Sequence, residues 1–139
     1  MPLYILDTDI FSLWAINDAI VRARVAAHPR TDVAVSVLTV EEALVGWLTA
    51  LRQVRTNDRR ATIYDRMTLT SMAVADLQIV SCSRAALDRY DQLLKLKLGV
   101  GGFDLRIAAI ALEHKATIVT RNLSDFRRVP GLTCEDWSV

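Results

Sequence analysis

Four carboxylates in this 139-residue chain fall where an acid is costly to bury yet well placed to act on a ligand. Asp7 closes the apolar run Leu3-Tyr4-Ile5-Leu6, and Glu42 follows a second apolar segment at 32–38. Asp104 comes just after the glycine pair Gly101-Gly102, and Asp125 lies beyond the β-branched run 117–120. An ionised carboxylate at the end of a buried strand needs a hydrogen bond or a nearby cation. Brought to one place, these acids would repel: two unit charges about 5 Å apart cost roughly 3 kcal/mol at an effective dielectric near 20. A divalent cation is the natural counter-charge. Carboxylate oxygens, with no histidine or cysteine at ligand spacing, select a hard ion such as Mg²⁺ or Mn²⁺. That ion would polarise a phosphoryl oxygen and lower the pKa of a bound water, which is the chemistry of phosphodiester hydrolysis.

Neighbouring residues could support such a site. The hydroxyls of Ser36 and Thr120 can hydrogen-bond a carboxylate or a metal-bound water. Asn122 is neutral, so it can orient a ligand without adding repulsion. Arg121, Arg127 and Arg128 flank Asp125, and arginine forks hold phosphate well, although a solvated rim is the alternative reading of each. Two of the acids have competing structural roles. Asp9 is placed to N-cap the helix that follows Asp7. Thr39-Val40-Glu41-Glu42 has the form of a capping box, with Thr39 as N-cap and Glu42 reaching back to its amide. In favour of a chemical role for Glu42 is its position, just past the second strand as Asp7 is at the end of the first.

The elements that must position these residues are legible from periodicity. Residues 3–6, 32–38, 77–82 and 117–120 read as short buried strands, with a possible last strand at 132–134 after the Pro130-Gly131 turn. Between them lie helical patterns. The helix from 40 carries Val40, Ala43, Leu44, Trp47, Leu48, Leu51 and Val54 on one face. A further helix over 58–75 makes an αα-hairpin with it, suited to a partner, a dimer mate or simple cover of the sheet. Helices are also expected from Asp18 to His28, from a Ser83 cap through Leu98, and from Asp104 onward. This alternation predicts an α/β fold: three layers, α/β/α, around a mostly parallel sheet of four to five short strands. In such sheets ligands bind outside the carboxyl ends of the strands, the end at which all four acids fall.

The bulk properties agree with one domain spanning 1–139 that encloses a real core, since 52% of residues are hydrophobic. Net charge is only +1, so any nucleic-acid contact must use local patches. Cys82 and Cys134 match no metal spacing and read as buried thiols. No apolar run is long enough to span a bilayer, and MPLYILDTD lacks the features of a signal peptide, so a cytoplasmic location is expected.

Taken together, LDTDIF with Asp7, SVLTVEEALVG with Glu42 and Gly46, FDLRIAAIAL with Asp104, and TIVTRNLSDFRRVPGL followed by EDW resemble a PIN domain. More narrowly, they are similar to the VapC toxins of bacterial and archaeal toxin-antitoxin pairs. The likeness runs through the chain in motif order, with residues 52–98 carrying little of it. It implies a Mg²⁺-dependent endoribonuclease that cleaves tRNA, rRNA or mRNA and is held inactive by a cognate VapB antitoxin, with homodimers and larger toxin-antitoxin assemblies. By match, Asp7, Glu42 and Asp104 take the places of the family's three central acids. Some relatives have an acid where this chain has Asn122, so the fourth position falls to Asn122 or Asp125. Asp9 matches a position that is often Asn or Asp, consistent with a cap or a supporting role.

Two other readings stand beside this one. Asp7-Thr8-Asp9 after an apolar strand is similar to the start of a haloacid-dehalogenase-type phosphatase, but Phe11 stands where Thr or Val belongs and no later paired-acid motif follows. In the other, the acids are only helix caps and the chain is a non-catalytic binding module.

Overall fold

The computed structural model describes residues 2–139. Five strands form one parallel sheet in the order β3-β2-β1-β4-β5, with β1 at Tyr4–Leu6, β2 at Val33–Ser36, β3 at Gln78–Val80, β4 at Thr117–Val119 and β5 at Thr133–Glu135. Side-chain alternation gives the sheet two buried faces. Ile5, Ala34 and Ile118 enter one core, and Leu6, Val33, Val35 and Val119 the other. The first core is covered by α5 (Arg84–Leu94) and α6 (Gly102–Glu113), the second by α1 (Thr8–Ala15) and α2 (Ala19–Ala26). The expected three-layer α/β/α architecture is therefore present, and all strand pairs are parallel.

The register decides which residues meet at the ligand edge. Leu6 lies opposite Val35 on one side and Val119 on the other, so the next residues, Asp7, Ser36 and Thr120, emerge together. The Asp7 amide extends the ladder by donating to the Val119 carbonyl at 2.9 Å. The chain runs outward from β1 through β2 to β3, then returns to the other side of β1 as β4. That reversal is a topological switch point between β1 and β4, where open α/β sheets place their ligand crevice.

Helix starts differ from expectation at two informative places. The N-cap of α1 is Asp7, whose side chain accepts from the Ile10 amide at 3.0 Å, and Asp9 sits exposed in the first turn. The strand ends before the cap, so the residue closing it also opens the helix. Similarly, α3 (Val37–Gln53) begins about a turn before the expected start. Its N-cap is Ser36, which accepts from the Thr39 amide. The Thr39–Glu42 capping box is consequently absent: Thr39 is buried inside the first turn, its hydroxyl 3.3 Å from that of Thr8. Close strand-to-helix coupling at the sheet edge overrides the local capping signal.

The αα-hairpin is present, α3 joining α4 (Asn57–Ala75) through residues 54–56. Its apolar face is only partly covered: Leu44 is 50% and Leu48 49% exposed. The helix after Ser83 ends at Leu94 rather than Leu98. A one-turn helix α7, Leu123–Phe126, carries Asp125.

Candidate active site

Asp7 is the best-defined side chain at the switch point. It is 6% exposed, and burial raises its pKa from 3.8 to about 6. Hydrogen bonds from the Thr120 hydroxyl and the Ile10 amide act against the shift, and the negative charges of Asp9 and Asp104 add to it. Thr120 is itself fully buried and its oxygen accepts from the Asn122 amide at 2.9 Å, so its proton is free to point at Asp7.

Asp104 comes from the opposite direction in the chain. It is the third residue of α6, where free amides and the helix dipole favour an acid. Gly101 caps that helix without a side-chain hydrogen bond. Asp104 is half-buried, and its pKa is raised first by burial and then by Asp125, Glu42 and Asp9. The Asn122 side chain opposes the rise. Asp125, Glu42 and Asp9 thus act electrostatically on Asp104, and Asp9 and Asp104 on Asp7, as carboxylates that share one region do.

The remaining residues divide. Asp125 is anchored, accepting from Asn122 Nδ2 at 2.9 Å and lying 3.7 Å from Arg128 Nη1. Arg128 also donates to the Gly99 carbonyl at 3.2 Å, so it ties α7 to the loop before α6. Glu42 is exposed on α3 and lines an apolar groove of about 380 Å³ beside Thr8, Phe11, Ala43, Trp47 and Arg66. Asp9 faces a shallower polar crevice of about 600 Å³ with Ser12, Arg66, Arg121 and Asn122. Arg127 is exposed and lines neither. Arg66 was not visible as a site residue in the sequence, because nothing in an exposed helical stretch signals that it reaches the crevice.

Among the described residues, no three Asp, Glu, His or Cys side chains converge into a ready-made metal cage. The donor set nevertheless fits a hard ion. Mg²⁺ keeps several of its waters and is usually held by one or two carboxylates rather than by an all-protein cage. Asp7 and Asp104 are of the right chemical type, and Asp125 and Glu42 lie within electrostatic range of Asp104.

The chain is similar to known proteins over nearly its whole length. The chain is 27% identical over 138 residues to "Ribonuclease VapC2" of Rickettsia felis, the match covering 97% of this chain and 98% of that protein. Among solved structures, a DNA-bound VapBC from Salmonella typhimurium has a TM-score of 0.82 at 23% identity, covering 99% of each chain. VapBC2 from Rickettsia felis, bound to a promoter DNA fragment, has a TM-score of 0.77 at 24% identity over 97% of this chain and 98% of that one. Residues 4–132 match the PIN domain, from the first strand to the start of the last, and the chain belongs to that family.

Proposed function

We propose that this protein is a metal-dependent endoribonuclease and the toxin of a VapBC pair, restrained by a VapB-type antitoxin. The observation that carries the proposal is the pairing of Asp7 and Asp104 at the β1/β4 switch point, both held above the usual carboxylate range by burial and by other acids. The name of the Rickettsia felis relative and the end-to-end likeness support it.

Asp7, Asp104, Glu42 and Asp125 would hold Mg²⁺, with Mn²⁺ as a substitute. When bound, the ion would supply Lewis-acid activation of the phosphate and of a water. The protein's own residues then have distinct tasks. Thr120 and the Ile10 amide keep Asp7 oriented. Asn122 holds Asp125 in place and eases the charge on Asp104. Thr39, against Thr8, fixes α3 to α1 and thereby the approach of Glu42. Arg121 would contact the RNA, whereas Arg127 lines neither pocket and Arg128 is committed to Asp125 and Gly99.

The uncovered apolar face of the α3–α4 hairpin and the groove beside it would receive protein: the antitoxin, a second copy, or both in a larger assembly. Among the described residues no helix is long and apolar enough to cross a membrane, in keeping with action on cytoplasmic RNA.

The test is cleavage of RNA by the purified protein with Mg²⁺ and with EDTA. Asp104→Asn should fold and lose on the order of a hundredfold or more of the rate, since metal stabilisation of the transition state is worth several kcal/mol and each 1.36 is tenfold. Cleavage that persists in EDTA or in that variant would overturn the proposal.

A further inference from the structure

Asp9 lines the polar crevice and acts electrostatically on both Asp7 and Asp104, and such a group of acids creates a problem for a polyanionic substrate. Their combined field repels phosphate, and a net charge of +1 over the whole chain does little to offset it. Cations must therefore stand close to the acids. Among the described arginines, two line the polar crevice: Arg66, from α4, and Arg121, from the loop after β4, with Asp9 and Asn122 alongside. Neither guanidinium has a carboxylate within salt-bridge distance or a side-chain hydrogen bond among the described residues. Both are exposed. Their donors are consequently free, unlike those of Arg128, and they approach the crevice from different elements, unlike Arg127, which lies outside it.

We propose that Arg66 and Arg121 form a two-point clamp on backbone phosphates of single-stranded RNA, so that the strand crosses the α1–α4 side of the acids rather than the α7 side. This rests on the ribonuclease reading above. An arginine fork fits a phosphate in two-pronged fashion, and two forks on separate elements fix a strand's path, which one would not. Positioning of this kind acts on substrate binding more than on the chemical step, because the two residues touch phosphates beside the reacting one.

The experiment measures binding of a fluorescein-labelled single-stranded RNA by anisotropy in EDTA, at several salt concentrations, for the wild type and for Arg66→Ala, Arg121→Ala and Arg127→Ala. Arg66→Ala and Arg121→Ala should each raise Kd several-fold. Each should also flatten the slope of log K against log salt by about 0.7, the change for one phosphate contact to a single strand. Arg127→Ala should do much less of either, and Arg66→Lys should recover part of the affinity. With Mg²⁺, the two key variants should raise KM more than they lower kcat. Arg66 is exposed and unpartnered, so matched thermal melts should show these variants folded; Arg66→Gln serves as a second variant. Unchanged affinity and salt slope in Arg66→Ala and Arg66→Gln would overturn the clamp. If cleavage still depended on Asp104, the ribonuclease reading would survive that result. A wild-type protein that neither binds nor cleaves RNA would sink both.

Discussion

Replacing Asp7 with asparagine should make the metal-free protein more stable at neutral pH. The carboxyl titrates at 3.8 in its ordinary state and at about 6 in the fold, because burial disfavours the charged form. Well below pH 3.8 it is protonated in both states and has no effect on the folding equilibrium. Between these values the folded state holds a proton that the unfolded state has released, so stability falls as pH rises. Above about pH 6 the full cost is present, roughly 3 kcal/mol at 1.36 kcal/mol per pH unit. Asparagine cannot ionise, and its oxygen can still accept from the Ile10 amide. Urea melts in EDTA from pH 4 to 8 should therefore show similar stabilities at the acid end and a gap of up to about 3 kcal/mol in favour of Asp7→Asn at the other. Adding Mg²⁺ should narrow the gap, since a ligand that binds only the folded wild type stabilises it by mass action. A variant no more stable than wild type at pH 8 in EDTA would show that Asp7 is not the buried, uneasy acid described here.

Two further predictions follow from the same geometry. Because Ser36 rather than Thr39 caps α3, Ser36→Ala should cost about 1 kcal/mol in a urea melt, whereas Glu42→Gln should leave stability unchanged while slowing RNA cleavage; the reverse pattern would restore the capping box. Leu44→Lys with Leu48→Lys should leave the monomer folded, both positions being about half exposed, and weaken self-association or antitoxin binding in sedimentation and co-purification; unaltered assembly would move the interface elsewhere.

The family likeness and the α/β architecture were legible in the sequence, for a physical reason. Short apolar runs followed by acids, such as 3–7 and 117–125, report strand ends directly, since only an edge tolerates a carboxylate next to a buried stretch. Helix pairing was equally plain from spacing. What could not be read was which neighbour each side chain finds. Local rules favoured Asp9 and Thr39 as caps, but helices that start immediately at the strand ends gave those tasks to Asp7 and Ser36. Arg66 is a further case, 38 residues before Asp104 and on an unremarkable helix face, brought to the crevice only because α4 packs against α1. The sequence by itself determined the kinds of residue available and the elements that carry them, because propensity, burial and charge act locally. Tertiary structure alone decided that the chain reverses between β1 and β4, so that acids nearly a hundred positions apart feel one another's charge, since electrostatic coupling depends on distance in space rather than along the chain.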